Sequence, residues 1–281
     1  MTPPVEEHAR LGPKAAEDDT PPDLPPGAPG RGLALRALLP NAITAAAMCS
    51  GLTGIRFAMS ENWSLAVAAI IFAGMLDGID GRVARLLNAQ SRFGAELDSL
   101  ADSLSFGTAP ALIIYLWTLN DLRLGWFAAL ALAVACALRL ARFNARIDLD
   151  VQPHKSAGFL TGIPAPVGAG LAFLPFYLWQ TTGQAIFREP LLVGPWVALI
   201  ALLMISNLAT MSWASLRPRR TIRLWVILIA ALLFAALLLE PWWTLIAISA
   251  GYLATLPLGW LRYAKVKRQR AATRANPAAH S

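Results

Sequence analysis

Cysteine and histidine are scarce in this sequence, and their scarcity limits the kinds of site that the chain can carry. The 281 residues include two cysteines, Cys49 and Cys136, and three histidines. Both cysteines fall in apolar segments, so they are too few and too isolated for a disulfide framework or a zinc site. His8, His154 and His280 form no metal-ligand spacing. The sequence therefore offers neither a cysteine nor a histidine metal centre.

Charged residues are also scarce. They make up 15% of the chain, whereas hydrophobic residues make up 56%, and soluble domains usually have about 25% charged residues. This composition predicts a polytopic membrane protein. A net charge of +7 would suggest nucleic acid as a partner in a soluble protein. Here the basic residues fall mainly between apolar segments, so membrane orientation explains them better and no nucleic-acid partner is expected.

Eight apolar segments follow one another, and each is near the roughly 20 residues that a helix needs to cross a bilayer. The predicted fold is an all-α polytopic membrane bundle of about eight transmembrane helices. The predicted spans are residues 38–59, 63–87, 93–119, 124–143, 159–179, 191–214, 224–239 and 244–263. The fifth span opens with Gly162, Pro164 and Pro166, which predict a broken or late-starting helix. Non-helical backbone at membrane depth survives only where it is buried or lines a wet cavity.

The segments outside the spans predict how the chain is oriented. Residues 1–32 are rich in proline and glycine and are expected to be a disordered tail. They contain no apolar signal-peptide region, so a secreted protein is not expected. Basic residues concentrate before span one and after spans two, four, six and eight, which places both termini in the cytoplasm. The polybasic tail at 265–281 is expected to lie against the anionic cytoplasmic leaflet.

Four aspartates interrupt the second and third apolar segments. Asp77 and Asp80 are three residues apart and Asp98 and Asp102 are four apart, so each pair shares one helix face. A short polar turn, Asn88–Ser91, separates the pairs. An antiparallel hairpin at that turn would bring four carboxylates to one depth.

Clustered carboxylates in a low-dielectric setting need protons or cations. Each aspartate costs roughly 2.5–3.5 kcal/mol near the middle of a membrane helix on insertion scales, and mutual repulsion adds to this cost. Oxygen ligands favour Mg²⁺ or Mn²⁺, with Ca²⁺ as a third candidate, and two divalent ions would balance four carboxylates. A single aspartate could instead pair with Arg82 or Arg85, but that reading does not explain all four together with the small residues between them.

The spacing of these residues resembles the signature of the CDP-alcohol phosphotransferase family, with every fixed position matched. The matching pattern is Asp77-x2-Asp80-Gly81-x2-Ala84-Arg85-x8-Gly94-x3-Asp98-x3-Asp102. The resemblance implies an integral membrane enzyme that displaces CMP from a CDP-activated lipid with a hydroxyl nucleophile. Its transmembrane domain is expected to comprise residues 33–264. The resemblance is also compatible with a homodimer.

Further motifs resemble the bacterial phosphatidylserine synthase branch of this family. They are Ser105-Phe106-Gly107, Arg139-Leu140-Ala141-Arg142-Phe143-Asn144 and Phe159-x2-Gly162-x-Pro164-x-Pro166; Thr161-Gly162-Ile163 departs slightly from the Asn-Gly-Leu expected there. The resemblance implies CDP-diacylglycerol and L-serine as substrates, in a bacterial cytoplasmic membrane. The distribution of basic residues predicts that the aspartate hairpin, and with it the active site, faces the cytoplasm.

The resemblance also implies roles for individual residues. The four signature aspartates would bind two divalent cations, and Asp102 would also take the proton from the serine hydroxyl. The expected contacts of the CDP-lipid are Asn41, Thr44, Gly81, Ala84, Arg85, Ser91 and Gly94. Apart from the resemblance, we expect Arg142, with Asn144 or Lys155, to contact the carboxylate of the acceptor serine.

Two other interpretations stay open at this point. The same site could accept glycerol 3-phosphate, inositol phosphate or choline, because the aspartates do not determine the nucleophile and the group Arg139, Arg142 and Lys155 could hold an acceptor phosphate. Alternatively, the aspartates could couple a cation to transport. Transporters often contain repeated halves with paired broken helices, whereas this sequence has one broken start and no repeat.

Overall fold

The computed structural model describes residues 31–147, 159–206, 209–211 and 220–256. Most of these described residues are helical, as predicted. The helices are α1 Arg31–Met59, α2 Trp63–Leu86, α3 Arg92–Asp102, α4 Ala109–Trp117, α5 Gly125–Ile147, α6 Ala165–Ala172, α7 Leu174–Thr182, α8 Pro190–Ile205, α9 Arg220–Leu239 and α10 at residues 241–256. Two three-residue strands, β1 Phe159–Thr161 and β2 Ala209–Met211, form an antiparallel pair.

Four helical stretches are long and apolar enough to cross a membrane. They are Arg36–Met59, Trp63–Leu86, Arg92–Trp117 and Gly125–Ala145, and Pro190–Ile205 is a shorter apolar helix. These stretches coincide with the first four predicted spans and with part of the sixth. The number of eight crossings stays a prediction. Lys155, the predicted C-terminal tail and all but two residues of the predicted N-terminal tail lie outside the described residues.

Helices α1 and α2 form a closely packed antiparallel pair that begins the bundle. The Ser50 hydroxyl donates to the carbonyl oxygen of Ala69 at 2.8 Å. A Cβ atom at Gly54 would lie only 2.9 Å from the carbonyl oxygen of Ala66. Small residues at these positions let the two backbones approach, as is common between membrane helices. This approach brings the start of α1 against the aspartate-bearing end of α2.

A π-helical segment, Ser103–Thr108, joins α3 to α4 directly after Asp102. The Ser105 hydroxyl donates to the carbonyl oxygen of Ala47 at 3.3 Å, and a Cβ atom at Gly107 would lie 2.9 Å from Cys136 Cβ. The segment therefore packs tightly against both α1 and α5. Single π-helical turns within α-helices often occur at functional sites, and this one begins directly after Asp102.

The fifth predicted span begins late, as expected, and the sixth ends earlier than predicted. Helix α6 starts only at Ala165, after a turn in which Gly162 has φ +76°. A Cβ atom at Gly162 would lie 2.6 Å from the Met204 carbonyl oxygen. Helix α8 ends at Ile205 because Ser206 leaves the helical region, and residues 209–211 then pair with β1. The prediction of one helix over 191–214 was therefore wrong at its C-terminal end.

Aromatic side chains pack together where α4 ends, at a distance from Asp102. The Trp117 ring lies edge-on to Phe176 with centroids 5.3 Å apart, and Phe176 is edge-on to Trp242 at 5.5 Å. Tyr177 is fully buried and stacks on Trp242. These contacts join α4, α7 and α10 in one core.

Candidate active site

The hairpin that presents the aspartates turns where the sequence predicted it. Helix α2 ends at Leu86, and Asn88 has φ +49°, a conformation that asparagine tolerates better than most residues. Ser91 then caps the next helix, because its hydroxyl oxygen accepts a 3.0 Å hydrogen bond from the backbone N–H of Gly94. The polar turn Asn88–Ser91 is confirmed. It makes α2 and α3 antiparallel.

Three aspartates, one on α2 and two on α3, lie close together. One carboxylate oxygen from each of Asp77, Asp98 and Asp102 lies within 4.8 Å of the other two, and all three side chains are half-buried. The carboxyl groups of Asp77 and Asp102 are within hydrogen-bonding range. Three anions at this separation repel one another strongly unless a cation or protons lie between them. An all-oxygen donor set of this kind fits a hard divalent cation.

Asp80 stands slightly apart from this cluster. Its side chain is only 4% exposed, and its Oδ2 atom lies 2.6 Å from the hydroxyl of Thr44, which is 5% exposed. The same hydroxyl lies 3.1 Å from the carbonyl oxygen of Pro40, so the carboxylate is the closer acceptor. The sequence predicted four carboxylates at one depth. The structure instead has three in a tight cluster and a fourth that α1 holds beside it.

A pocket of about 330 Å³ opens beside the cluster. This volume is in the range of small-molecule sites. Three of the aspartates line it together with all seven residues predicted to contact the CDP-lipid. Its lining includes Asn41, Thr44, Asp77, Asp80, Gly81, Ala84, Arg85, Ser91, Gly94 and Asp98.

Two glycines keep this pocket open. A Cβ atom at Gly94 would lie 3.1 Å from Asn41 Oδ1, so a larger residue would push α3 away from α1. A Cβ atom at Gly81 would meet only the Arg85 side chain among the described atoms, at 3.8 Å. Gly81 therefore leaves room for a ligand, and the exposed guanidinium of Arg85 stands next to that space.

The two described residues predicted to contact the acceptor lie near the end of α5, and each is engaged with another helix. Arg142 Nη1 donates to the carbonyl oxygen of Ile205 at 2.8 Å, at the end of α8. Asn144 Nδ2 donates to the hydroxyl oxygen of Ser99 at 2.9 Å. Ser99 directly follows Asp98 on α3, so Asn144 is brought to the aspartate helix. Lys155, the third predicted residue, is outside the described part of the chain.

The sequence named Arg139 only as one of three basic residues that could hold an acceptor phosphate, and it did not connect Arg139 with the aspartates. Arg139 is half-buried on α5 and interacts electrostatically with Asp102. A guanidinium there offsets part of the negative charge of the cluster. The sequence does place Arg139 near the site, since Arg139 lies one turn before Arg142 and shares its helix face. That position alone does not identify a functional residue, because a basic residue at the end of a membrane span also follows from orientation alone.

Comparison with known proteins gives a consistent result. The family model described as CDP-alcohol phosphatidyltransferase matches residues 37–213. A protein of Mycobacterium tuberculosis named CDP-diacylglycerol–serine O-phosphatidyltransferase is 37% identical over 263 residues, covering 89% of this chain and 91% of that protein. Proteins of the same name are 34% identical in Helicobacter pylori (61% of this chain, 70% of that protein) and 38% identical in Bacillus subtilis (49% and 75%).

Proposed function

Because the chain belongs to the CDP-alcohol phosphatidyltransferase family, we propose that it transfers the phosphatidyl group of CDP-diacylglycerol to L-serine, which gives phosphatidylserine and CMP. The observation that carries this proposal is the convergence of Asp77, Asp98 and Asp102 beside a pocket of about 330 Å³. The name shared by relatives of 34–42% identity supports serine as the acceptor.

The CMP part of the donor fits the pocket beside the cluster. Gly81 leaves space for the nucleotide, and Arg85 stands where its guanidinium can fork onto a phosphate. Asn41 and Ser91 offer polar groups to the pocket, and Ala84 and Gly94 line it with small side chains that leave space for a ligand. Thr44 acts through Asp80, which it holds in place by the 2.6 Å hydrogen bond.

Asp77, Asp98 and Asp102, together with Asp80, would hold two divalent cations, with Mg²⁺ or Mn²⁺ preferred and Ca²⁺ as a third candidate. Such cations supply charge neutralisation at a transferring phosphoryl group and orient the attacking and leaving oxygens. The clustering of the carboxylates supports this assignment, because the repulsion between them would otherwise oppose folding. Arg139 contributes a fixed positive charge on the side of Asp102.

Asp102 is the proposed general base. A new bond forms between the serine hydroxyl oxygen and the lipid-side phosphorus, the bond from that phosphorus to CMP breaks, and the serine proton passes to the Asp102 carboxylate. CMP leaves with the negative charge on its phosphate. Asp102 suits this role because it projects from the last turn of α3 and does not line the nucleotide pocket. Its position leaves the acceptor free to approach from the side of α5, and positioning at hydrogen-bonding range is the first requirement of a general base.

For the serine carboxylate we propose Arg142, with Asn144 or Lys155. Arg142 suits this role because a guanidinium can fork onto a carboxylate. The Asn144 amide nitrogen carries two N–H donors, so one can reach the serine carboxylate while the other binds Ser99. This arrangement would place the acceptor between α5 and the aspartate helix.

We further propose that the chain crosses the bacterial cytoplasmic membrane eight times, with both termini and the aspartate hairpin on the cytoplasmic side. The distribution of basic residues between the apolar segments supports this orientation, and cytoplasmic serine and CDP-lipid would then reach one face of the site. A homodimer is compatible with this arrangement.

The function can be tested by measuring CMP release from CDP-diacylglycerol by the purified full chain with Mn²⁺ or Mg²⁺. Serine, glycerol 3-phosphate, inositol phosphate and choline would be supplied in parallel, with a chelator as the control. We expect chelator-sensitive release with serine alone. Release with a different acceptor would keep the chemistry and reassign the substrate. Cation flux into vesicles without CMP release would instead indicate a transporter.

A further inference from the structure

The serine that follows Asp98 links the aspartate helix to α5. The Ser99 hydroxyl donates to the carbonyl oxygen of Ala95, one turn earlier on α3, at 3.0 Å. The same hydroxyl oxygen accepts a 2.9 Å hydrogen bond from Asn144 Nδ2 on α5. A hydroxyl has one hydrogen and two acceptor lone pairs. While Ser99 keeps its bond within α3, it can therefore bind only the nitrogen side of the Asn144 amide.

This bond determines which way the Asn144 amide faces. Among the described residues, Ser99 is the only hydrogen-bond partner of the Asn144 side chain. An amide turned by 180° would bring its oxygen against the hydroxyl oxygen of Ser99, whose hydrogen is already used. The amide nitrogen is therefore held towards α3, and its second N–H remains for another acceptor.

Two contacts connect α5 with α3, one on each side of Arg142. Arg139 interacts electrostatically with Asp102, and Asn144 binds Ser99. Five residues of α5 separate the two contacts, which corresponds to about 7.5 Å along a helix. Ser99 and Asp102 are three residues apart and share a face of α3. An acceptor that binds between the two helices here can place its hydroxyl at one contact and its carboxylate at the other.

We propose that Ser99 is a positioning residue for the acceptor. It holds the Asn144 amide so that an N–H faces the carboxylate of L-serine while the serine hydroxyl faces Asp102. This inference rests on the proposed function, because it takes an amino acid as the acceptor. It gives a role to a residue of the aspartate helix that belongs neither to the carboxylate cluster nor to the lining of the nucleotide pocket.

A bond that only joined α3 to α5, as polar contacts between membrane helices often do, would have different consequences. Asp98 directly precedes Ser99, so a displaced α3 would move a proposed cation ligand. The Mn²⁺ requirement and the KM for the lipid would then change together with the KM for serine. Loss of the Asn144 orientation alone affects only serine. Kinetics therefore separate the two roles.

The test removes the Ser99 hydroxyl and follows each substrate separately. Ser99→Ala loses both hydrogen bonds, Ser99→Thr keeps a hydroxyl, and Ser60→Ala is the matched control. The Ser60 hydroxyl also donates to a carbonyl oxygen one turn earlier, that of Arg56, at 3.3 Å, and among the described residues it binds no second helix. CMP release by the purified full chain would be measured against serine, CDP-diacylglycerol and Mn²⁺ in turn. Thermal unfolding in detergent would report on the fold.

We expect Ser99→Ala to raise the KM for serine by about two- to tenfold, as the loss of one neutral hydrogen bond predicts. The KM for the lipid and the Mn²⁺ requirement should stay close to wild type. Ser99→Thr and Ser60→Ala should keep the wild-type KM for serine. In an Asn144→Ala background, Ser99→Ala should raise it no further. An unchanged KM for serine in Ser99→Ala, or equal rises in both KM values, would overturn the inference and leave the proposed function intact.

Ser99→Cys covers the case in which Ser99→Ala does not fold. Its thiol is close to the hydroxyl in shape but is a weak donor and a weak acceptor, so the KM for serine should rise in this variant too. A wild-type KM for serine in Ser99→Cys would reject the role of Ser99. A wild-type chain that releases CMP to no acceptor, or only to one without a carboxylate, would reject the proposed function together with this inference.

Discussion

The hydrogen bond between Thr44 and Asp80 gives the sharpest test of how the site is held together. Thr44→Val keeps the shape of the side chain and removes the hydroxyl that lies 2.6 Å from the Asp80 carboxylate. Both residues are buried, so water cannot readily replace the lost donor. A hydrogen bond to a charged group contributes about 1.5–3 kcal/mol. At about 1.4 kcal/mol per factor of ten, complete loss predicts a fall in kcat/KM of roughly 10- to 150-fold.

The matched control is Thr44→Ser, which keeps the hydroxyl and should stay close to wild-type activity. Both variants would be assayed for serine-dependent CMP release over a range of Mn²⁺ concentrations, and thermal unfolding in detergent would report whether the fold is intact. We expect Thr44→Val to need more Mn²⁺ than the wild type, because a misplaced Asp80 is a poorer ligand. Activity within about twofold of wild type, with an unchanged Mn²⁺ requirement, would refute the role of Thr44 in positioning Asp80.

Three further predictions concern the base, the acceptor and the broken span. Asp102→Asn should abolish turnover but largely keep CDP-lipid binding, which an equilibrium titration would measure. Retained turnover would rule out Asp102 as the base. Arg142→Ala should raise the KM for serine more than the KM for the lipid, and Arg142→Lys should have an intermediate KM for serine. A fall in kcat without a change in either KM would mean that Arg142 only holds the end of α8. Gly162→Ala should lower the free energy of unfolding by at least about 1–2 kcal/mol, which is the cost of a left-handed residue. The close contact of the new Cβ atom with the Met204 carbonyl oxygen should lower it further. Gly183→Ala has a similar φ but meets no described atom within 4 Å, so equal thermal stability of the two variants would contradict the role given to that contact.

Local patterns in the sequence were sufficient to predict the hairpin. Aspartates three and four residues apart share a helix face in any α-helix, and a polar turn between two apolar helices makes them antiparallel. The capping hydroxyl of Ser91 and the positive φ of Asn88 reflect preferences of serine and asparagine that can be read from the local sequence. The seven residues assigned to the CDP-lipid came from the family resemblance instead, and the structure places all seven in one pocket beside the aspartates.

Features that depend on packing between distant segments were not predictable in this way. Asp80 differs from its neighbours only because α1 places Thr44 against it, and no spacing within α2 reveals which face α1 will cover. The early end of α8 was missed because apolar residues continue beyond Ser206, so hydropathy gives no stop. The interaction of Arg139 with Asp102 was not predicted, because orientation alone accounts for a basic residue at the end of a span.

The central claim is that the aspartate cluster is a divalent-cation site, and direct binding of Mn²⁺ tests it most directly. Mn²⁺ would be titrated into the purified full chain with bound ions counted by electron paramagnetic resonance, alongside Asp98→Ala. We predict two bound Mn²⁺ per wild-type chain, with magnetic coupling between them, and a loss of at least one in Asp98→Ala. Equal Mn²⁺ binding by both proteins would contradict the assignment of this cluster as the metal centre.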